Sequence, residues 1–403
     1  MQASRTAKGI VPNEAKKSAS WLQVLSHVDP HFGGIASSVP QLSQATEAEG
    51  GPECPIAGFC DPQEKMPKDA RNSAKYYSSH RVRWLLDHNL RNRFRETIRA
   101  AQGVHIHGVW EPHCNVAAAA ARACKRPYII SAHGMLDLWA LRQKRVKKAL
   151  YAALIEARNL QRAACLRALT IDEVQDYRRV GLTNPVAVVP TGVEAPPGTT
   201  GDLFWESYPH LAGRRIVLFL GRIHKKKGLE LLLEAWRCLP QASDDTHVVI
   251  AGPDDGHLGA LKEMVETLGL QQSVTFAGML NGEQKWSALR AASVFVLPSF
   301  SEGFSVAVLE ALAMGLPVIV TDQCHFPEIA QHNCGWTIEA DAGQVEQSLR
   351  EFLQLPPEEA VRMGERGRNL IEQRFCWPVV GKQMADVYAW LLGGPKPTTV
   401  EIL

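Results

Sequence analysis

VFVLPSFSEGFSVAVLEALAMGLPVIV, residues Val294 to Val320, is the stretch that decides the fold. VFVL at one end and PVIV at the other are apolar runs of strand length, far too short to cross a membrane. The VAVLEALAM between them reads as a helix. A strand, a loop, a helix, a Gly315-Leu316-Pro317 turn and a second strand form a β–α–β unit, and such a crossover makes the two strands parallel. The loop Ser299-Phe300-Ser301-Glu302-Gly303-Phe304-Ser305 then falls at the carboxyl end of the first strand. Open α/β sheets bind ligands there.

The same alternation extends in both directions. Arg215 to Leu220, His247 to Ala251, Val274 to Phe276 and Val318 to Val320 read as strands beside Val294 to Leu297. Helical runs at 229–238, 258–268, 283–291, 305–314 and 343–354 lie between or after them. In the first half, strands are expected at Trp21 to Val28, Val104 to Val109, Tyr128 to Ser131, Leu166 to Thr170 and Val186 to Val189. Helices are expected at Ile35 to Ala48, Tyr76 to Ala101, Asn115 to Cys124 and Leu141 to Ala164. Residues 49–80, rich in Pro, Gly and polar side chains, suggest no order. Pro196-Pro197-Gly198 is the best linker, since Pro and Gly interrupt both periodicities. The division is a leader at 1–19, a first domain at 20–195, a linker at 196–212, a second domain at 213–375 and a last helix at 376–393. Trp377, Tyr388 and Trp390 are that helix's packing anchors.

A length of 403 residues fits two cores better than one. No apolar run has the length of a membrane span, and MQASRTAKGIVPNEAKKSAS lacks the apolar centre of a signal peptide. The expected compartment is the cytoplasm, with a disordered, weakly basic leader. Nine scattered cysteines contain no C-x-x-C pair, which argues against zinc and redox motifs and for reduced thiols. Net charge is +2, but it is unevenly placed. Residues through 195 hold 27 Lys+Arg against 17 Asp+Glu, and the remainder 17 against 25. A basic half facing an acidic half suggests that the first meets something anionic.

Two segments carry chemistry. Gly221-Arg222-Ile223-His224-Lys225-Lys226-Lys227-Gly228 joins a strand to a helix. Arg222 offers a planar fork of donors and Lys227 a mobile charge, both suited to a diphosphate. The glycines permit tight turning and close approach. It is not a P-loop, because G-x-x-x-x-G-K-[ST] is absent. In the second segment, Phe304, Ser305 and Val306 open a helix whose free N–H groups and dipole attract phosphate. Glu302 lies before that helix and Glu310 more than a turn inside it, so they reach different parts of one extended ligand. Carboxylates accept hydrogen bonds from sugar and ribose hydroxyls. The bland readings are a solvated basic turn and a helix with an N-terminal acid. Glu310 sits between Leu309 and Ala311, which favours a buried or liganded carboxylate.

Together these motifs resemble the retaining glycosyltransferases of family 4. The matching features are G-R-x5-G with its lysine, S-x-x-E-G-F-x-x-x-x-L-E-A, the G-x-P-V-I strand from Gly315, and Pro190-Thr191-Gly192-Val193 at the crossover. Thr191 and Glu194 stand where Asn and Asp are usual. The resemblance implies an α/β, GT-B fold: two facing doubly wound Rossmann-like domains, an interdomain cleft and a C-terminal crossover helix. It implies that Arg222 and Lys227 hold a donor diphosphate beside Gly221. Glu310 would bind the ribose, and Gly303, Phe304, Ser305 and Val306 would surround the phosphates. Glu302 would bind the transferred sugar, Gly33 and Gly34 would leave room for the diphosphate, and His133 would stand beside the sugar.

His105, His107 and His113 lie near His133 in sequence, yet the carboxylate or cysteine spacing of a zinc site is missing. His107 and Trp110 are expected as acceptor-side or core residues. The implied partners are a nucleotide-diphosphate sugar and a glycan or lipid-linked acceptor, with no metal and no nucleic acid. The implied role is surface-polysaccharide or glycolipid assembly. Arg81, Arg83, Arg91, Arg93, Arg95, Arg99, Arg142, Lys144, Arg145, Lys147 and Lys148 form basic clusters beside Trp139 and Leu141. They suit either an anionic inner membrane face or a soluble acceptor groove. The rival readings are a nucleotide-sugar epimerase or phosphorylase on the same fold, and a non-catalytic nucleotide-sugar-binding protein.

Overall fold

The computed structural model describes residues 20–27, 34–60, 74–78, 88–137, 156–196, 198, 202–239 and 245–402. The leader, Gly33, Arg81, Arg83, Trp139, Leu141 and the 142–148 basic cluster lie outside them.

Two sheets form the framework. The first holds β1 (Trp21–His27), β2 (Ile56–Cys60), β3 (Ala74–Ser78), β4 (Gly103–His107), β5 (Tyr128–Ser131), β6 (Cys165–Ala168) and β7 (Val186–Val188). The second holds β8 (Arg215–Leu220), β9 (Thr246–Ala251), β10 (Val274–Gly278), β11 (Ala292–Leu297), β12 (Val318–Thr321) and β13 (Gly335–Ile338). The last short strand, β14 (Val400–Glu401), returns to the first sheet. The spatial orders are β14-β7-β6-β5-β4-β1-β2-β3 and β10-β9-β8-β11-β12-β13. Pairing is parallel throughout except at β14, which runs antiparallel to β7.

The longer helices are α1 (Gly34–Ala48), α2 (His88–Ala100), α3 (Pro112–Ala123), α4 (Ile171–Arg179), α5 (Leu229–Cys238), α6 (Leu258–Thr267), α7 (Glu283–Ala291), α8 (Val306–Ala313), α9 (Ala342–Gln354), α10 (Pro357–Arg374) and α11 (Trp377–Leu391). Val217, Leu218, Phe219, Val248, Val249, Phe295 and Val296 are fully buried, as expected for strands covered on both faces.

Strand order locates the ligand sites before any side chain is considered. The chain moves outward from β8 to β10, then returns to lay β11 on the other side of β8. β1 and β4 repeat this in the first sheet. Each reversal leaves a crevice at the strands' carboxyl ends. One lies between the β8 and β11 loops, the other between the β1 and β4 loops.

The helix α11 returns from the second unit to the first. Tyr388 stacks on Trp21 with ring centroids 4.3 Å apart. Gly381 lies so close to α1 that an added Cβ would meet the Ala45 carbonyl carbon at 2.5 Å. At the crossover, Val193 N–H donates to the Phe375 carbonyl at 2.9 Å.

Several expectations need correction. Of the helix expected at Tyr76 to Ala101, the residues up to Ser78 belong to the strand β3 and His88 to Ala100 form α2, while 79–87 lie outside the described residues. Residues 49–80 contain two strands, β2, which pairs with both β1 and β3, and β3, which forms the sheet edge; each is only five residues long and is set among Pro, Gly and polar residues. The second sheet gains β13, and α10 spans Pro357–Arg374, where the sequence pattern suggests no element. Part of the expected linker, Asp202–Ser207, is helical and sinks Phe204 into the second core.

Candidate active-site cleft

The β8 loop is shaped by backbone contacts. Lys225–Lys227 form a single 3-10 turn, capped where His224 Nδ1 accepts from Lys226 N–H at 3.1 Å. Gly228 then adopts the left-handed conformation, with φ of 64°. A Cβ there would lie 2.0 Å from the Pro298 carbonyl oxygen, so only glycine lets this loop touch the β11 loop. Phe300 N–H donates to the Lys226 carbonyl at 2.8 Å and fastens the two loops further.

Those contacts place Lys227 against Glu302. The ammonium lies 2.5 Å from Glu302 Oε1, with the side chains 13% and 9% exposed. Ser299 Oγ donates to the same oxygen at 2.5 Å, and Glu302 N–H donates to the Gln323 carbonyl at 3.0 Å. Ser305 caps α8 without a side-chain bond, so the first N–H groups of that helix are open. Half-buried Phe304 packs between Phe326 and Phe375, at 5.5 and 5.9 Å, and fixes where α8 begins.

Glu310 emerges one turn into α8 and meets Lys285 of α7 at 2.5 Å. Burial raises its carboxyl above the usual range, opposed by Lys285 and reinforced by Glu194. Glu194 accepts from Gln41 of α1 at 2.5 Å, so the crossover and α1 both reach the Glu310 region. Lys285 also stands 4.8 Å over the Trp286 ring. Arg222 is the exposed member of the set. It points outward to Asp255 at 2.6 Å.

The opposite wall is formed by the β5 loop. His133 has φ of 53° and Gly134 φ of 73°. Two groups of α4 hold this strained turn: Glu173 Oε1 accepts from Gly134 N–H at 2.7 Å, and Tyr177 Oη accepts from Ala132 N–H at 3.3 Å. His133 Nε2 lies 3.1 Å from His107 Nδ1. Burial first, and the nearby Arg167 charge second, push the His133 pKa down to about 3, so its ring is neutral. Burial likewise lowers His105 and His107. Among the described residues no three His, Cys, Asp or Glu side chains are grouped as a metal site would need.

The walls touch at two glycines. A Cβ on Gly134 would sit 2.7 Å from the Gly303 Cα, and one on Gly303 would sit 3.0 Å from the His133 carbonyl oxygen. Ser301 Oγ to Asp137 at 3.3 Å and His325 Nδ1 to Asp172 at 2.9 Å also bridge the cleft.

Lys227, Glu302, Gly303 and His133 therefore meet at one cleft, with Gly221, Phe304, Ser305 and Val306 on its loops, Arg222 turned outward to Asp255 and Glu310 a turn away. Gly34 opens α1 with clear space around it, which is compatible with the room expected there. Sequence reasoning missed Lys285, Glu173, Gln23 and Asp255 as contributors. A surface-like lysine in EQKW carries no signal that it will meet Glu310. Ser299 was visible in the motif, but its bond to Glu302 was not.

Comparison with known proteins agrees with this architecture. Residues 206–370 match the family model Glycosyl transferases group 1, and residues 33–192 match Glycosyl transferase 4-like domain. Sucrose-phosphate synthase from Thermosynechococcus elongatus superposes with a TM-score of 0.71 at 20% identity, covering 93% of this chain and 99% of that one. HepE of Anabaena, solved with UDP and glucose, gives 0.75 at 16% identity, covering 92% and 100%. The fold is GT-B.

The chain carries a glycosyl transferase 4-like domain followed by a group 1 glycosyl transferase domain. Among sequence relatives, the amylovoran biosynthesis glycosyltransferase AmsK of Erwinia amylovora is 31% identical over 180 residues, 42% of this chain and 44% of that protein. The D-inositol 3-phosphate glycosyltransferase of Streptomyces avermitilis is 32% identical over 183 residues, 43% and 39%. The match thus spans less than half of the length of either relative.

Proposed function

We propose that this protein is a glycosyltransferase. It moves a sugar from a nucleotide-diphosphate donor to an acceptor hydroxyl, with retention of configuration. The observation that carries the reading is the pair of lysine–carboxylate bridges, Lys227–Glu302 and Lys285–Glu310, on either side of an uncapped helix N-terminus at the β8/β11 reversal. A diphosphate competes for the lysines and for the open N–H groups. The freed carboxylates then accept from hydroxyls, Glu302 from the transferred sugar and Glu310 from the ribose.

In the reaction the bond from the anomeric carbon to the diphosphate oxygen breaks. A bond from that carbon to the acceptor oxygen forms on the same face, and the acceptor proton passes to the departing phosphate. Charge growing on the diphosphate is met by Lys227, by Arg222 swung away from Asp255, and by the α8 N-terminus. No resident metal is needed for this charge balance. His133 lies against the transferred sugar.

The acceptor belongs to surface-polysaccharide or glycolipid assembly. The naming of AmsK as an amylovoran biosynthesis enzyme supports this assignment. So do the exposed positions of Arg93, Arg95 and Arg99 on α2, opposite buried Phe94 and Ile98. Such a face suits an anionic lipid surface at the inner side of the membrane. No described helix is long and apolar enough to span one.

Calorimetric titration with UDP- and GDP-sugars, joined to an assay for acceptor-dependent nucleotide release, tests the function. Binding with acceptor-dependent release is expected. Binding without such dependence points to an epimerase, and no binding overturns the proposal. Co-sedimentation with anionic vesicles at low and high salt tests the membrane contact, which is withdrawn if nothing sediments at low salt.

A further inference from the structure

A buried hydrogen-bond chain runs from the backbone of β1 to His133, and its polarity can be worked out atom by atom. It begins at the Trp21 carbonyl, which can only accept. Gln23 Nε2 donates to that oxygen at 3.2 Å and to the Tyr388 hydroxyl at 2.9 Å. A reversed amide would set two oxygens against each other at Trp21, so the Gln23 orientation is fixed. Gln23 Oε1 then faces His107 Nε2 at 3.0 Å, and that nitrogen must carry the proton. A neutral imidazole with Nε2–H has a lone pair on Nδ1. His107 Nδ1 faces His133 Nε2 at 3.1 Å, so His133 is also protonated on Nε2.

The other branch obeys the same direction. The Tyr388 hydroxyl, having accepted from Gln23, donates to His105 Nδ1 at 2.7 Å, and His105 Nε2 donates to Ser131 Oγ at 2.7 Å. Gln23, His105, His107 and Ser131 are buried, and the guanidinium of Arg167 stands close enough to disfavour a second proton on any of the rings. Arg167 is itself held by the Val189 and Pro190 carbonyls.

We infer that Gln23 and His107 are positioning residues that fix His133 as the Nε2–H tautomer, leaving Nδ1 as an obligate acceptor for a hydroxyl of the bound sugar. The inference rests on the glycosyltransferase reading for its ligand, but not for its tautomer. It makes His133 a reader of hydroxyl donors, not a donor or a general acid. A buried amide selects the tautomer just as a carboxylate or carbonyl bonded to the far nitrogen of a functional histidine fixes its proton elsewhere.

The test is ring-nitrogen NMR of the free protein labelled with 15N-histidine, with His133 assigned by its loss in His133→Asn. In the wild type, Nε2 is expected protonated and Nδ1 bare, with no titration across the usual histidine range. Gln23→Leu is expected to give His133 averaged shifts on both nitrogens. Its kcat/KM is expected to fall about tenfold, the scale of one lost net hydrogen bond. Tyr388→Phe removes a hydroxyl from the same buried cluster but leaves the path from Trp21 intact. It is expected to change the His105 signals and not those of His133. A general structural disturbance would move both. An Nδ1–H His133 in the wild type overturns the inference even if Gln23→Leu does not fold, and so does an unchanged His133 in a folded Gln23→Leu. Because these signals are read without substrate, failure of the glycosyltransferase assay would leave the tautomer result standing.

Discussion

On the C-terminal wall of the cleft, Lys227–Glu302 and Lys285–Glu310 set full charges 2.5 Å apart. On the N-terminal wall, His105, His107 and His133 are held neutral and joined by directional hydrogen bonds. Ion pairs exchange partners when a more highly charged ligand arrives; on the proposed function each lysine would find a phosphate and each carboxylate a hydroxyl. A neutral chain anchored on a backbone carbonyl does not rearrange in that way. One wall is thus suited to capturing and releasing a diphosphate, the other to reading an uncharged sugar.

The largest expected effect comes from breaking the charged wall. On the proposed function Lys227→Ala removes the cation that meets the growing phosphate charge, and it leaves Glu302 with Ser299 but without its ion-pair partner. Loss of one preorganised stabiliser of this kind lowers kcat by about 10²–10³-fold. A circular-dichroism melt separates that loss from unfolding, and near-normal turnover would remove Lys227 from the phosphate role.

The second prediction uses the opposite pH responses of the buried histidines and of Glu310. The His133 pKa falls from 6.5 in the unfolded chain to about 3 when folded, and that of His113 to about 4. The unfolded chain therefore binds more protons between these values, and stability is lost as the pH drops below about 6.5. Glu310 has the reverse sign: burial raises its carboxyl, so protonation favours the folded state. Hydrogen exchange followed from about pH 7 to about pH 5 should show β4 and β5 loosening before α8. Uniform loosening would break the contrast.

How much of this was legible in sequence follows the same division. The charged wall lies on two contiguous motifs, each between a strand and a helix, so its residues could be picked out at once. Lys285 could not, because it meets Glu310 only through the packing of α7 beside α8. The neutral wall is assembled from β1, β4, β5 and α11, and no spacing links Gln23 to Tyr388 across 365 positions. His105 and His107, two apart on β4, share one strand face by alternation, but their direction of hydrogen bonding depends on a carbonyl at Trp21. Among the fold elements, β2 (IAGFC) and β3 (AKYYS) escaped because five-residue strands set among Pro, Gly and polar residues lack the longer apolar run that marked β8 and β11.

A third prediction concerns the seam between the walls. Gly134→Ala adds a Cβ 2.7 Å from the Gly303 Cα and forces a side chain onto a φ of 73°. Gly181→Ala suffers the same kind of strain at φ of 83°, but nothing lies within 4 Å of its Cβ. Both should lose about 1–2 kcal/mol of stability from the left-handed backbone. Only Gly134→Ala should also lower turnover, because it props the β5 loop away from the β11 loop. Equal activity in the two variants would mean that the glycine contact is incidental to closure.

The smallest effect is expected at the exposed edge of the charged wall. Arg222 and Asp255 form an ion pair with side chains 60% and 41% exposed, a setting in which water screens most of the attraction. Asp255→Asn should therefore change stability by no more than about 0.5 kcal/mol. If Arg222 must leave Asp255 to reach the diphosphate, the same substitution removes a competitor and tightens nucleotide binding. Arg222→Ala should weaken it. Opposite shifts from the two variants in one calorimetric series would place Arg222 on the phosphates. Parallel losses would mean that Asp255 holds Arg222 in its working position, and the charged wall would then have a third fixed pair in place of a mobile arm.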